Sequence, residues 1–591
     1  MTASVRSVYE ARLQAARARA EREARRDRVT SYARLVAFGS GVLALALFGV
    51  SLEVAVFPLA AFLTLVVVHA RVLRSKERAE RAVRFYESGL ARLDDRWVGD
   101  GDPGERFVDD EHLYSRDLDL FGRGSLFELL SAARTRRGQD VLARFLQAPA
   151  SVPEIRLRQE AVRELTPALD LREALAVAGG DVGASVNPET LATWGKAPAV
   201  LEGRWIPVAA SLLSFFAVGS IALYAADLIG PLLVEVALAL ALAFAGALRS
   251  RVRRVIREVE EPARELLLLT ETLALVERHP VSAPRLVAIS ERLGQGSRAP
   301  SVEIARLRRF VDFLDGRRNP LVAPVLAILL WATQLAYAIE AWRSKHGKHV
   351  DDWLEALGEL EALSSFGRLA YERPDDVFPE ILEGPAAFRA VGLGHPLLAR
   401  DRLVRNDFVL DDALRLLIVS GSNMSGKSTL LRTAGVSTVL ALAGAPVRAV
   451  RLSLSPLAAS ASIRIQDSLQ AGVSRFYAEI TRLRHIVDLT TGPLPVLFLL
   501  DEVLQGTNSH DRRVGAEAVV RGLLDRGALG LITTHDLALA QIADAVAPRA
   551  ANVHFEDHIE DGVIRFDYRL RPGVVQKSNA IALMRAVGLE V

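Results

Sequence analysis

Cysteine is missing altogether from this 591-residue chain. Its absence excludes disulfides, thiolate zinc sites and cysteine nucleophiles together, and fits folded parts that lie in a reducing compartment. An excess of either charge is missing too: 73 Lys plus Arg nearly cancel 71 Asp plus Glu, leaving a net charge of +2. A uniformly basic, nucleic-acid-coating protein is thereby excluded, and any DNA contact would have to be local. No basic stripe with interleaved aromatics makes up for this. The start of the chain lacks the marks of a secretory signal, because the first apolar run begins far in, has no small-residue cleavage site and is followed at once by another. What is abundant is apolar. Half of the residues are hydrophobic and the mean hydropathy is +0.20, in a chain long enough for several domains.

The apolar residues fall into blocks. Leu35 to Leu52 carries no charge, and Val54 to Val68 is again uncharged, interrupted only by Pro58. Trp205 to Ala226 is long enough to cross about 30 Å of hydrocarbon, and Leu228 to Leu248 is apolar apart from Glu235. Each pair reads as a helical hairpin. Arginines flank both pairs on the outside (Arg22, Arg25, Arg26, Arg28, Arg34; Arg71, Arg74; Arg249, Arg251), whereas the turns contain no Lys or Arg. The positive-inside rule then places both termini in the cytoplasm, at the cell (inner) membrane. The alternative is a set of buried helices in a large soluble core. Asn319 to Ile339 is also uncharged, but a single further crossing would put the rest of the chain on the outer side, so it reads as a buried or interfacial helix. The arginine-rich helix Arg6 to Arg28 has three readings: a lipid-headgroup contact, a nucleic-acid contact, or a solvated helix orienting the adjacent span.

Leu414 to Val419 is a continuous apolar strand running into GSNMSGKST, Gly421 to Thr429, and then the helical stretch Leu430 to Ala443. Glycines at Gly421 and Gly426 let the backbone curl so that the amides of Asn423, Met424, Ser425 and their neighbours face phosphate oxygens at a helix N-terminus. Lys427 would meet the β and γ phosphates of ATP, Ser428 would coordinate Mg²⁺, and Thr429 completes the loop. A second buried strand, Val496 to Leu500, ends in Asp501 and Glu502. Asp501 is expected to hold Mg²⁺ through water and Glu502 to polarise the attacking water. A third, Leu529 to Thr533, leads to His535, either a γ-phosphate sensor or a structural hydrogen-bonding residue.

With these residues in place the chain resembles the MutS family of ATPases, within the ABC-type nucleotide-binding domains. GSNMSGKST resembles the family's phosphate loop, with Ser422 in place of the usual proline. LFLLDEVLQGTNSHDR (Leu497 to Arg512) resembles its acidic strand and following loop, and TTHD (Thr533 to Asp536) its switch histidine. IRIQDSLQAGVSRFYAE, Ile463 to Glu479, is similar to the family signature GxSTFxxE, with Arg475 replacing threonine. The resemblance implies that Ser474 reaches the γ-phosphate of the other protomer, and so implies a homodimer. GHPLL (Gly394 to Leu398) and RND, with Asn406, resemble the segments that open the domain and contact the adenine. Ser125 to Leu165, where Gly138 is read as ending a turn, resembles the start of the family's helical core. Trp353 to Pro374 resembles its returning helices. Gly573 to Leu589 resembles the closing segment beside the opposite site, or is a plain cap helix.

Two departures matter. Nothing before Asp117 can form the domain that wedges Phe-x-Glu into DNA, and Phe85 to Glu87, though it reads FYE, sits in a helical stretch beside the first apolar pair. The second pair also interrupts the core, leaving little chain for DNA-gripping levers. The expected fold is an α/β P-loop ATPase domain of ABC/MutS type joined to an all-α core with two transmembrane hairpins. Its segments are 1–110 (charged helix and first hairpin), 111–202 (first part of the core), 203–250 (second hairpin), 251–375 (second part) and 376–591 (ATPase). Three functions follow: an ATP-driven switch at the lipid bilayer acting on an unknown protein partner or lipid, a DNA-binding repair or recombination ATPase, or a transporter ATPase. The last is disfavoured because Glu235 is nearly alone at membrane depth.

Overall fold

The computed structural model describes residues 2–48, 52–181, 187–201, 203, 205–294, 299–315, 323–422, 424–464, 475–505, 507–560 and 563–575. The first apolar run is the tip of a longer helix, Thr2–Phe48, and the second continues through Pro58 as Leu52–Leu93. The two lie antiparallel along their length, as the pairs Arg17 with Glu87, Asp27 with Lys76 and His69, and Phe38 with Phe62 show. Their polar ends dock on the rest of the protein through Tyr9 and Tyr86, both fully buried. The Tyr9 hydroxyl donates to Glu372 at 3.2 Å, and Arg92 forks onto the same carboxylate at 2.7 to 3.1 Å.

The second pair is Ile206–Ala225 and Pro231–Arg278, joined through Asp227 in the left-handed region (φ 56°). Small residues let the two backbones approach: Ala210, Ala217, Ala237 and Ala241 are buried. Among the described residues four helices are long and apolar enough to cross a membrane, and only 6%, 6%, 28% and 11% of their apolar windows is buried. Leu35, Phe57, Phe215 and Leu242 stand open to the surroundings. The apolar stretches of these helices are therefore mostly uncovered, whereas Pro231–Arg278 joins the core beyond them through Leu248 to Val276.

The uncharged stretch before Ile339 is not one helix. Within the described residues it forms Ala323–Ile328, breaks at Leu330 (φ 49°), and resumes as Trp331–His346. The first piece has no buried residue and the second buries Leu335, Ala336, Tyr337 and Ile339. Gly138 also departs from expectation. It lies inside the first turn of the helix Arg136–Gln147, capped by Thr135, where a Cβ would run into Glu361. Glu361 belongs to Val350–Glu372, buried along nearly its whole length and packed on all sides by the other core helices.

Ten strands follow: β1 (Glu380–Ile381), β2 (Phe388–Leu393), β3 (Asn406–Leu410), β4 (Leu416–Ser420), β5 (Arg451–Leu454), β6 (Ala458–Ser462), β7 (Val496–Asp501), β8 (Leu529–Thr534), β9 (Ala550–Glu560) and β10 (Val563–Pro572). They form a four-stranded mixed sheet, β1-β5-β2-β3, and a six-stranded sheet, β10-β9-β4-β8-β7-β6, in which only the β10–β9 pairing is antiparallel. Strand side chains alternate between faces. Leu417, Val419, Leu497, Leu499 and Leu531 therefore join one continuous apolar core with the helical part, from Tyr114 to Phe555. Leu416, Ile418, Phe498, Leu500 and Ile532 face a second core under Arg475–Leu489 and Ser509–Asp525. Burial on both faces explains why these strands are unbroken apolar runs.

Candidate functional site

β4 ends at Ser420, and the chain turns through Gly421 (φ 151°) and Gly426 (φ 102°) into the helix Lys427–Ala443. Both φ values suit glycine, and a Cβ on Gly426 would sit 3.1 Å from the Tyr568 ring. The first helical bond closes from Leu430 N–H to Gly426 O at 3.0 Å, so the amides of Lys427, Ser428 and Thr429 are left at an open helix start. Met424 is left-handed (φ 68°) and exposed. Ser425 is buried with its Oγ unpartnered, as is the Ser422 Oγ. Asn423 lies outside the described residues.

Lys427 is buried, and its ammonium donates to the carbonyls of Gly421 and Ser422 at 2.8 Å each. Burial lowers its pKa, opposed by the charges of Glu502 and Asp501. The lysine and the acidic pair thus share one electrostatic neighbourhood although β8 separates their strands. Asp501 accepts from the Thr533 hydroxyl, and the Glu502 amide donates to Thr533 O at 3.2 Å and Oγ1 at 3.1 Å. Glu502 has φ 51°. One of its oxygens meets His535 Nδ1 at 3.1 Å and the other accepts from Gln505. The loop beyond is fixed by Glu479, which is buried and accepts from Leu504 N at 2.5 Å.

A cavity of about 630 Å³ opens here, lined by Lys427, Ser428, Thr429 and Glu502 together with Leu393, His395, Asn406 and Tyr568. Asn406 ties β3 to β10: its Nδ2 donates to Tyr568 O at 3.0 Å and its Oδ1 accepts from Leu570 N at 2.8 Å. Tyr568 sits in a bulge between Phe566 and Leu570, which re-aims its side chain over Gly426. Burial, then Arg432 and Arg448, push His395 down to about 4, so its ring is neutral at physiological pH. His395 lies in the GHPLL segment that the sequence already offered, whereas Tyr568 and Phe555 escape sequence inspection because each comes from a segment remote from the glycine loop. The alternation in FDYRLRP gives no hint of the bulge.

The expected site residues therefore converge, apart from Asn423 and Ser474, which lie outside the described residues together with 465–473 and 576–591. The donor set fits a phosphate-bearing ligand with a hard divalent cation: open amides, a buried ammonium, unpartnered hydroxyls and carboxylates behind them. Among the described residues no cluster of three His or acidic side chains could hold a metal by protein groups alone. A cation here would draw part of its coordination from the ligand.

Comparison with known proteins points the same way. Residues 417–590 match the family model for MutS domain V. The chain is similar to endonuclease MutS2 of Thermus thermophilus, 34% identical over 248 residues (40% of this chain, 30% of that protein). It is also similar to DNA mismatch repair protein MutS 2 of Halobacterium salinarum, 33% identical over 242 residues (40% and 27%). With DNA mismatch repair protein MutS of Brevibacillus brevis it shares 30% identity over 255 residues (42% and 29%). The chain thus spans less than a third of the length of these relatives. Its glycine loop, acidic strand end and TTHD segment all fall inside the matched region, so it is this C-terminal part of the chain that is similar to MutS domain V.

Proposed function

We propose that this chain is an ATPase held at the cell membrane by two helical hairpins, and that it works as a homodimer to move its helical core. The observation that carries the reading is the meeting of a buried lysine on a glycine loop with a carboxylate pair at the end of β7. In this reading the amides after Gly426 and the Lys427 ammonium hold the ATP phosphates, and Asn406 and Tyr568 border the base. Ser428 and Asp501 would hold Mg²⁺, which would supply neutralisation of the phosphate charge when bound. Glu502 takes the proton of the attacking water, oriented by His535 and Gln505. Ser474 would complete the partner's site. Residues 376–591 form the ATPase unit, 111–202 and 251–375 the core, and 1–110 and 203–250 the anchoring segments.

The link to the core runs through Asp117. This buried carboxylate accepts from the Ile463 and Arg464 amides at 2.9 and 2.6 Å and from Arg482 at 3.0 Å, while Arg432 donates to its carbonyl at 3.1 Å. It therefore joins the core to both the glycine-loop helix and the strand leading to the signature. Membrane anchoring is supported by the open apolar faces of four helices.

The test is ATP turnover by purified protein in detergent. Lys427→Ala should lose nucleotide binding; a wild-type chain with no affinity for adenine nucleotides would end the proposal. A second reading, a DNA-binding repair ATPase, is favoured by the names of the relatives. It requires salt-sensitive binding to branched or mismatched duplex, and a turnover rate indifferent to DNA of every structure would remove it.

A further inference from the structure

Away from the glycine loop, a second cavity of about 670 Å³ lies where the Leu52–Leu93 helix meets the core. Eight arginines line it against four carboxylates. The carboxylates are already occupied by neutral donors. Glu361 takes the Thr135 hydroxyl and the Arg134 and Thr135 amides, Glu128 takes the Gly99 and Gly124 amides, Asp100 the Ser88 hydroxyl, and Asp102 the Gly104 amide and Gln139. Arg81, Arg92 and Arg106 pair with Glu77, Glu372 and Asp140, so the other five guanidiniums of the lining stand against its four carboxylates. Among the described residues, the guanidiniums of Arg84, Arg134 and Arg136 have no ion-pair partner.

Two residues of the lining also keep unbonded polar atoms, sealed from solvent behind the wall, with the Arg172 guanidinium lying over the Tyr371 ring. Arg172, 4% exposed, spends Nη1 on the carbonyls of Leu165 and Thr166 but leaves Nε and Nη2 unbonded. Ser364, 3% exposed, leaves its Oγ unbonded. Arg134 is accessible to solvent, yet burial lowers its pKa, Glu361 raises it, and Arg92 and Arg84 lower it further. An accessible group in a desolvating, cation-rich setting belongs to a hollow inside the protein and not to its outer surface.

We propose that this hollow is a binding site for a soluble small molecule carrying several phosphate groups, gripped by Arg84, Arg134 and Arg136. Guanidiniums match phosphate oxygens in pairs. The volume lies within the range of small-molecule pockets and excludes a nucleic-acid duplex. A lipid headgroup shares the phosphate chemistry. However, Arg81, the nearest wall residue to the apolar run, lies about 16 Å along the helix beyond Ala70, too far for a headgroup whose tails remain in the bilayer.

The experiment titrates inorganic tripolyphosphate into the full chain carrying Lys427→Ala, which disables the glycine loop, and follows binding by calorimetry. Saturable binding is expected, and adding Arg134→Glu with Arg136→Glu should weaken it by about tenfold or more, as the loss of charge-assisted bonds requires. Arg134→Lys with Arg136→Lys should keep most of the affinity, which separates lost charge from a lost fold. Absence of saturable binding, or binding indifferent to the charge reversal, overturns the site. A parallel flotation assay uses vesicles with and without phosphatidylglycerol. If the reversal abolishes flotation on the anionic vesicles and tripolyphosphate does not bind, the cavity serves a headgroup and the soluble-ligand proposal fails.

Discussion

Glu502 holds a left-handed backbone conformation that costs a non-glycine residue about 1–2 kcal/mol, and its carboxylate is aimed by His535 on one oxygen and Gln505 on the other. Such an arrangement serves position over stability. Glu502→Gln should therefore fold and bind ATP normally while turnover falls by roughly a hundredfold or more, measured as single-turnover hydrolysis; near-normal turnover would move the base elsewhere. Glu361 answers to pH. Burial raises it to about 7 from an ordinary 4.5, against the pull of the Thr135 hydroxyl and the Arg134 and Thr135 amides. Because the unfolded chain loses this proton first, stability should fall as pH rises from about 4.5 to 7 and level off above, an effect on the order of 3 kcal/mol. Glu361→Gln should flatten that part of the profile, read as melting temperature against pH. Residues at strand ends were legible because their neighbours in sequence are their neighbours in space. Lys427 follows β4 directly and Asp501 and Glu502 close β7, so strand, loop and chemistry come in one reading. Tyr568 was not legible, since a bulge in a distant hairpin delivers it.

At the scale of elements, apolar runs predicted the parallel strands well, because burial on both faces leaves no polar position to blur them. Helices with charges on buried faces were harder. Val350–Glu372 buries Glu359, Glu361, Arg368 and Glu372, and its place in the middle of the core cannot be read from an amphipathic pattern it does not have. The same holds for Trp331–His346, where Glu340 and Arg343 are only 4% exposed and pair at 2.7 Å. Glu340 also accepts from the Val200 amide at 2.5 Å and the Leu201 amide at 3.2 Å, and Arg343 donates to Pro198 O at 2.9 Å. The pair thus pins the segment that leads into Ile206–Ala225. Glu340→Ala would leave a buried guanidinium unbalanced and should cost about 3–5 kcal/mol. The double replacement with Arg343→Ala should recover part of that loss in thermal melts; a strictly additive double variant would show that the two side chains do not act as a pair.

For the whole molecule the question is which parts of the chain lie on which side of a membrane, and the lack of cysteine makes it directly answerable. A single introduced thiol is the only one present. Asp227, in the turn joining Ile206–Ala225 to Pro231–Arg278, is on the outer side if both hairpins cross. Arg389, exposed on β2, would in that case be on the inner side with the glycine loop. In intact cells a membrane-impermeant maleimide should label Asp227→Cys and spare Arg389→Cys, and permeabilisation should expose both. The arginines that follow each pair support this orientation, because moving them across the bilayer would cost far more than leaving the charge-free turns there. Labelling of Asp227→Cys only after permeabilisation would mean that the second pair does not cross. Its exposed faces at Phe215 and Leu242 would then need another cover, for which a second copy of the chain is the nearest source.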